Sequence, residues 1–164
     1  MPRPPTSTRG RGMGLTLRAA LDSLPAAAQV VVAEINPVVV KWCRGPLAEL
    51  SGKALDDPRV NVLQDDVAEV ITKAAQPRAE RFDAVIIDLY EGPGASTDAL
   101  LDPFYGSRAL RKTAAVLSRD GVFAVWGENP DAGFEKRLAA AGFSVDRRRP
   151  GRGGLRHVVY LAKK

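Results

Sequence analysis

Cysteine and histidine are almost absent from this chain: Cys43 and His157 are its sole representatives. One thiol excludes an internal disulfide and a cysteine-based metal centre. One imidazole leaves no histidine-rich site, so no metal cofactor is expected. No apolar run approaches the ~20 residues that cross a bilayer. The N-terminal arginines lead into no apolar segment of the kind a secretory signal carries. A cytoplasmic protein with no membrane partner is the expectation. Two catalytic signatures are also lacking. There is no G-x-x-x-x-G-K-[ST] phosphate loop, and no G-x-S-x-G elbow to place a serine nucleophile. With no histidine near it in sequence, Cys43 is not read as a catalytic thiol.

What is present is ordinary in amount and uneven in placement. The 164 residues are 45% apolar and 26% charged, enough for one domain with a sizeable core. The net charge of +5 belongs to the two ends. Residues 1–18 carry four arginines and no acid, and residues 143–164 carry seven basic residues against Asp146. Residues 19–142 are net −5. Basic ends can attract nucleic acid. No aromatic residues are interleaved with these arginines to stack on bases, so a solvated surface is the preferred reading.

Apolar periodicity alternates along the chain. Residues 14–24 place Leu17, Leu21 and Leu24 at helical spacing, and VVVAE (30–34) follows as a short buried strand. Asn36–Pro37 opens a second helix running through Val39, Trp42, Cys43, Leu47 and Leu50, with Trp42 and Cys43 on its core-facing stripe. Then come strand VNVL (60–63), a helix over 67–75 capped by Asp65–Asp66, and the clearest strand, FDAVIID (82–88). Residues 98–118 read as a helix broken near Pro103. Strand GVFAVW (121–126), a helix over 131–141 that stops at Gly142, and a hairpin (FSVDRRR, PGRGG, LRHVVYLA) complete the chain. This alternation predicts an α/β fold: a mostly parallel sheet with helices on both faces and a C-terminal antiparallel hairpin. Residues 9–164 are expected to form the single domain and residues 1–8 a disordered polar lead-in.

In such sheets ligands bind at the carboxyl ends of the strands. The glycine cluster Gly10, Gly12 and Gly14 runs straight into the first helix. Glu34 ends the next strand, 20 residues beyond Gly14. That is where these folds hold a ribose diol, because a carboxylate can accept from two adjacent hydroxyls. Asp65 and Asp66 follow the next strand. Either could cap a helix, accept from an adenine amino group, or do both. Asp88 closes the most apolar strand, a poor place for a charge unless it has a function.

The segments GRGMGLTLRAAL, VVVAEINPVVVKWCRGPLAEL, ALDDPRVNVLQDDVAEVI and FDAVIIDLYEGPG resemble the spermidine synthase (polyamine aminopropyltransferase) branch of the class I S-adenosylmethionine-dependent methyltransferase folds. The likeness covers roughly residues 9–127. The E-I-N-P step and the L-D-D-P-R-V segment are its most specific parts. It implies a Rossmann-like class I methyltransferase fold that binds S-adenosylmethionine or its decarboxylated form as co-substrate. Gly10, Gly12 and Gly14 would approach the nucleoside and its tail. Glu34 would hold the ribose, Ile35 and Leu89 would line the nucleoside site, and Asp66 with Asp65 beside it would read the adenine. Asp88 would bind alongside them and take the attacking amine's proton, with Glu91 as a second carboxylate for the polyamine. A polyamine substrate is implied, and a homodimer is an open expectation because aminopropyltransferases are commonly dimers.

Three departures keep other readings open. Met13 stands where the family usually has an aspartate near the aminopropyl end of the co-substrate, which favours methyl transfer to an unidentified acceptor. Glu91 is followed by Gly92–Pro93, not the family's D-P pattern. The family's N-terminal β-hairpin domain is not seen, and MPRPPTST (1–8) shows no apolar strand before the glycines. The first, central strand is therefore expected to be missing, as in an N-terminally shortened chain, and a non-catalytic nucleoside-binding domain is a third reading. A nicotinamide-dependent dehydrogenase is a distant fourth, since no hydride-transfer site is in view.

Overall fold

A computed structural model describes residues 6–10, 14–76, 79–89, 92–94, 97–149 and 157–164. Its core is a seven-stranded sheet in the order β3-β2-β1-β4-β5-β7-β6. The strands are β1 (Thr6–Gly10), β2 (Val30–Ala33), β3 (Val60–Leu63), β4 (Phe82–Asp88), β5 (Leu117–Gly127), β6 (Ser144–Arg148) and β7 (Val158–Lys163). The first five pair in parallel, and β7 runs antiparallel to both β5 and β6. This is the expected parallel sheet with its hairpin edge.

One expectation is corrected. The central strand is not missing: β1 lies between β2 and β4, with Thr8 opposite Val32 on one side and Ile86 on the other. The polar lead-in therefore becomes sheet at Thr6. The physical reason is that a central place is secured by backbone pairing on two sides, which a polar TSTRG segment supplies as well as an apolar one. Its threonines are also β-branched residues suited to extended backbone.

Among the described residues five α-helices connect the strands: α1 (Leu15–Ser23), α2 (Pro37–Arg44), α3 (Val67–Ala74), α4 (Ser107–Val116) and α5 (Ala132–Ala140). They divide between two apolar clusters. Leu17 and Leu21 of α1 pack with Val30, Cys43, Ala54 and Leu55. Helices α3, α4 and α5 bury Ile71, Leu110, Phe134 and Leu138 against Val85, Ile87, Phe123 and Tyr160. At about 25 cal/mol per Å² of apolar surface removed from water, these clusters are the main drive for folding.

Two further readings are corrected here. Helix α2 stops at Arg44, and short 3-10 turns at Glu49–Ser51 and Ala54–Asp56 replace its expected continuation. Trp42 does not face the core: it is 52% exposed, while Cys43, Val39 and Val40 make the inward contacts. The predicted helix over 98–118 starts only at Ser107. Before it, Asp98 accepts from the amides of Leu100 and Leu101, and Asp102 from those of Phe104 and Tyr105. These Asx turns divert the backbone ahead of and around Pro103.

The L-D-D-P-R-V segment acts as a brace. Arg59 makes a two-pronged contact with Asp57, Nε to Oδ1 at 2.9 Å and Nη2 to Oδ2 at 2.8 Å. Its Nη1 donates to the carbonyl of Leu21 at 3.0 Å and to that of Leu24 at 3.4 Å. The approach to β3 is thus tied to the C-terminal end of α1, whose last carbonyls would otherwise lack partners.

Candidate functional site

Parallel pairing brings the carboxyl ends of β1, β2, β3 and β4 to one edge of the sheet. Gly10, the last residue of β1, is in register with Asp88, the last residue of β4. The glycine segment therefore begins beside Asp88. Gly12 lies outside the described residues. Gly14 caps the N-terminus of α1 with φ 79°, the left-handed conformation that favours glycine. A Cβ there would sit 3.0 Å from Cβ of the buried Ser51, so the position also lacks room for a side chain.

The E-I-N-P step has a local logic. Glu34 is 7% exposed, and its Oε1 accepts the Asn36 amide at 2.8 Å. Asn36 in turn caps α2, its Oδ1 accepting from the Val38 amide, and Pro37 takes the first helical position. One carboxylate oxygen is thus anchored by the turn that follows β2, which fixes how the other is presented. Ile35 is 53% exposed, an apolar side chain standing open beside a buried acid. On α2, burial pushes the Cys43 thiol above its ordinary range, and the negative charge of Glu34 adds to it. Cys43 is buried packing, as its place in the helix predicts.

Asp65 and Asp66 follow β3 on the same edge, and both have structural work. Asp66 caps α3, with Oδ1 accepting from the Ala68 amide at 2.8 Å. Asp65 accepts from the Asp66 amide through Oδ1 and pairs with Lys73 through Oδ2. The Lys73 ammonium, with that amide, holds the Asp65 carboxyl below the usual carboxylate range.

Asp88 meets a partner from α1: the Thr16 hydroxyl donates to its Oδ2 at 2.7 Å. Thr16 carries no motif of its own and was not legible as a site residue. The available signal was a polar residue in the first helical turn after the glycines, inside an otherwise apolar L-T-L. Leu89, by contrast, packs partly buried against the larger core cluster. Tyr90 and Glu91 lie outside the described residues, as does Met13. Gly92 has φ 65°, and a Cβ there would lie 2.5 Å from the Trp126 carbonyl oxygen and 2.7 Å from Gly127 Cα. Gly92 therefore lies against the end of β5, where the rings of Trp126 and His157 sit 5.0 Å apart. Among the described residues no group of three or more His, Cys, Asp or Glu side chains could hold a metal ion. None of their helices is long and apolar enough to cross a membrane.

The site thus gathers Gly10, Gly14, Glu34, Ile35 and Asp88 on one edge, with Asp65 and Asp66 at the end of the neighbouring strand. A buried carboxylate beside an open apolar side chain can take a nucleoside. A second carboxylate stands at the next strand end but one.

Comparisons with known proteins identify the family and the fold. The family model for the spermine/spermidine synthase domain matches residues 10–136. The polyamine aminopropyltransferase of Mycobacterium tuberculosis (strain CDC 1551 / Oshkosh) is 33% identical over 121 residues, which are 74% of this chain and 22% of that protein. That of Clostridium tetani is 34% identical over 121 residues, 74% of this chain and 40% of that protein. The chain therefore spans less than half the length of these relatives. Among solved structures, spermidine synthase from Thermotoga maritima superposes with a TM-score of 0.72 at 22% identity, covering 99% of this chain and 54% of that one. Human methyltransferase-like protein 13 in complex with SAH gives 0.70 at 18% identity, covering 98% and 71%. At these identities the structural likeness speaks for the fold, a Rossmann-like methyltransferase fold.

Proposed function

The chain belongs to the spermine/spermidine synthase family, and we propose that it transfers an aminopropyl group from decarboxylated S-adenosylmethionine to a polyamine. The observation that carries this reading is the register of Gly10 with Asp88 at the sheet edge that also holds the buried Glu34. Glu34 would accept from the ribose hydroxyls through the oxygen that Asn36 does not anchor. Ile35 would lie against the adenine, and Asp66 would accept from its amino group. The glycine segment of Gly10, Gly12 and Gly14 would let backbone approach the sulfur-bearing tail, with Leu89 closing the nucleoside site from its packed position.

The reaction follows from the charges. A primary amine is protonated at pH 7 and cannot attack until it loses a proton. Asp88 would attract the ammonium, accept that proton and free the nitrogen lone pair. The nitrogen then bonds to the aminopropyl carbon next to the sulfonium as the carbon–sulfur bond breaks. The bonding pair goes to sulfur, methylthioadenosine leaves neutral, and the product nitrogen, now a secondary ammonium, carries the positive charge. Glu91 would give the polyamine a second anionic contact.

Methyl transfer is the second reading, favoured by Met13 at the loop position where the family usually carries an acid. Calorimetric titration with S-adenosylmethionine, its decarboxylated form and methylthioadenosine separates the two. Tighter binding of the decarboxylated form, followed by release of methylthioadenosine when putrescine is added, is the expected result. Preference for S-adenosylmethionine would replace aminopropyl by methyl transfer. Binding of none of the three would overturn both transfer readings.

A further inference from the structure

We propose that Thr16 is the positioning residue for Asp88, fixing which carboxylate oxygen meets the amine. The inference rests on the reading that Asp88 receives the amine's proton. Thr16 and Asp88 are 72 positions apart in sequence, yet Thr16 Oγ1 donates to Asp88 Oδ2 at 2.7 Å. Three features of the fold bring them together. Gly10 ends β1 in register with Asp88. Gly14 turns the chain into α1 through its left-handed φ. Leu17 and Leu21 then bury one face of α1, which fixes the rotation of the helix. Thr16 itself is exposed, so the hydroxyl does not serve the core.

The physical need is specific. The terminal torsion of an aspartate is broad and roughly two-fold, so a carboxylate at a strand end has no sharply preferred rotation of its own. A hydroxyl has one proton to donate. Given to Oδ2, it selects one orientation and directs Oδ1 to the incoming ammonium. Thr16 touches neither the nucleoside nor the reacting carbon in this scheme; it acts through Asp88. The β-branched side chain has few χ1 rotamers, so its own hydroxyl is held at little cost. Displacements of about 1 Å at a reacting group can cost 10²-fold in rate, so the effect on turnover is measurable.

The test compares Thr16→Val, which keeps shape and loses the donor, with Thr16→Ser, which keeps the donor. Each is assayed for methylthioadenosine release from decarboxylated S-adenosylmethionine and putrescine. Thr16→Val is expected to lower kcat by about 10- to 100-fold, with KM for the nucleoside substrate within about twofold of wild type. Thr16→Ser is expected to recover most of the loss. Crystal structures of both variants supply a readout independent of turnover: the Asp88 carboxylate rotates in Thr16→Val and keeps its orientation in Thr16→Ser. If Asp88 is unmoved in Thr16→Val, or both variants are equally impaired, the positioning role is overturned. Should wild type itself show no transfer, the aminopropyl reading fails. The orientation of Asp88 in the two variants then decides the role of Thr16 by itself.

Discussion

Glu34 illustrates how one side chain can serve folding and binding at once, and how the two are separated. Its Oε1 receives the Asn36 amide, and burial keeps water from replacing that contact. Glu34→Ala removes the acceptor for a backbone amide as well as any ribose contact, so it should lower both stability and affinity. The expected loss of nucleoside binding is about 1–3 kcal/mol, the usual penalty for leaving buried polar groups unpaired. Glu34→Gln is the sharper variant. Its amide oxygen can still accept from Asn36, so unfolding by denaturant should stay near wild type. The charge and one acceptor are lost, so methylthioadenosine affinity should still fall in calorimetry. Unchanged affinity in both variants would remove Glu34 from the ribose site. This residue was readable from sequence because an acid after an apolar strand, 20 residues past a glycine, is a pattern with a chemical reason. Thr16 was not, because its partner Asp88 is distant in sequence and close only once the sheet is assembled.

At the scale of elements, the brace between Asp57 and Arg59 makes a prediction about acid. The Arg59 guanidinium, with the Arg59 amide, lowers the Asp57 carboxyl from an ordinary 3.8 to about 2. A carboxyl whose folded-state value is depressed stabilises the fold above its unfolded value, and that stabilisation is lost as pH falls through the folded value. The contribution of Asp57 should therefore be complete above about pH 4 and fade towards pH 2. Urea midpoints for wild type and Asp57→Asn should differ at pH 7 and converge as pH drops through that window. A gap that stays constant down to pH 2 would show that the ionised brace contributes nothing. Elements that bury apolar residues were legible: β2, β3, β4 and the core of β5 stand where their β-branched runs place them. The boundaries that patterning misses depend on polar detail. Apolar spacing continues past Gly45 to Leu47 and Leu50, although the chain there turns into 3-10 segments. Apolar spacing puts both Trp42 and Cys43 on a core-facing stripe, whereas in the eight-residue helix Cys43 turns inward and Trp42 stands exposed.

The assembly of the whole molecule turns on its least conspicuous strand. In the order β3-β2-β1-β4-β5-β7-β6, β1 alone joins the β2–β3 pair to the remaining four strands. Without it the sheet would divide into a two-stranded parallel piece and a four-stranded piece, and a two-stranded piece has little stability of its own in water. The division would also part the edge on which Glu34 and Asp88 stand, since Gly10 pairs with Asp88 and Thr8 with Val32. Hydrophobic patterning could not find this strand, because its place is held by backbone hydrogen bonds to two neighbours and its residues are polar. Thr8→Pro tests the point with a single change. Proline has no amide proton and is confined to sheet edges and bulges, so at a position paired on both sides it should break the ladder. The variant is expected to lose its cooperative thermal transition by circular dichroism and, in the same samples, its binding of methylthioadenosine. Thr8→Val, which keeps the amide and the β-branched shape, should retain both. A Thr8→Pro variant that melted and bound like wild type would mean that β2 and β4 do not depend on β1, and the central place of residues 6–10 would have to be abandoned.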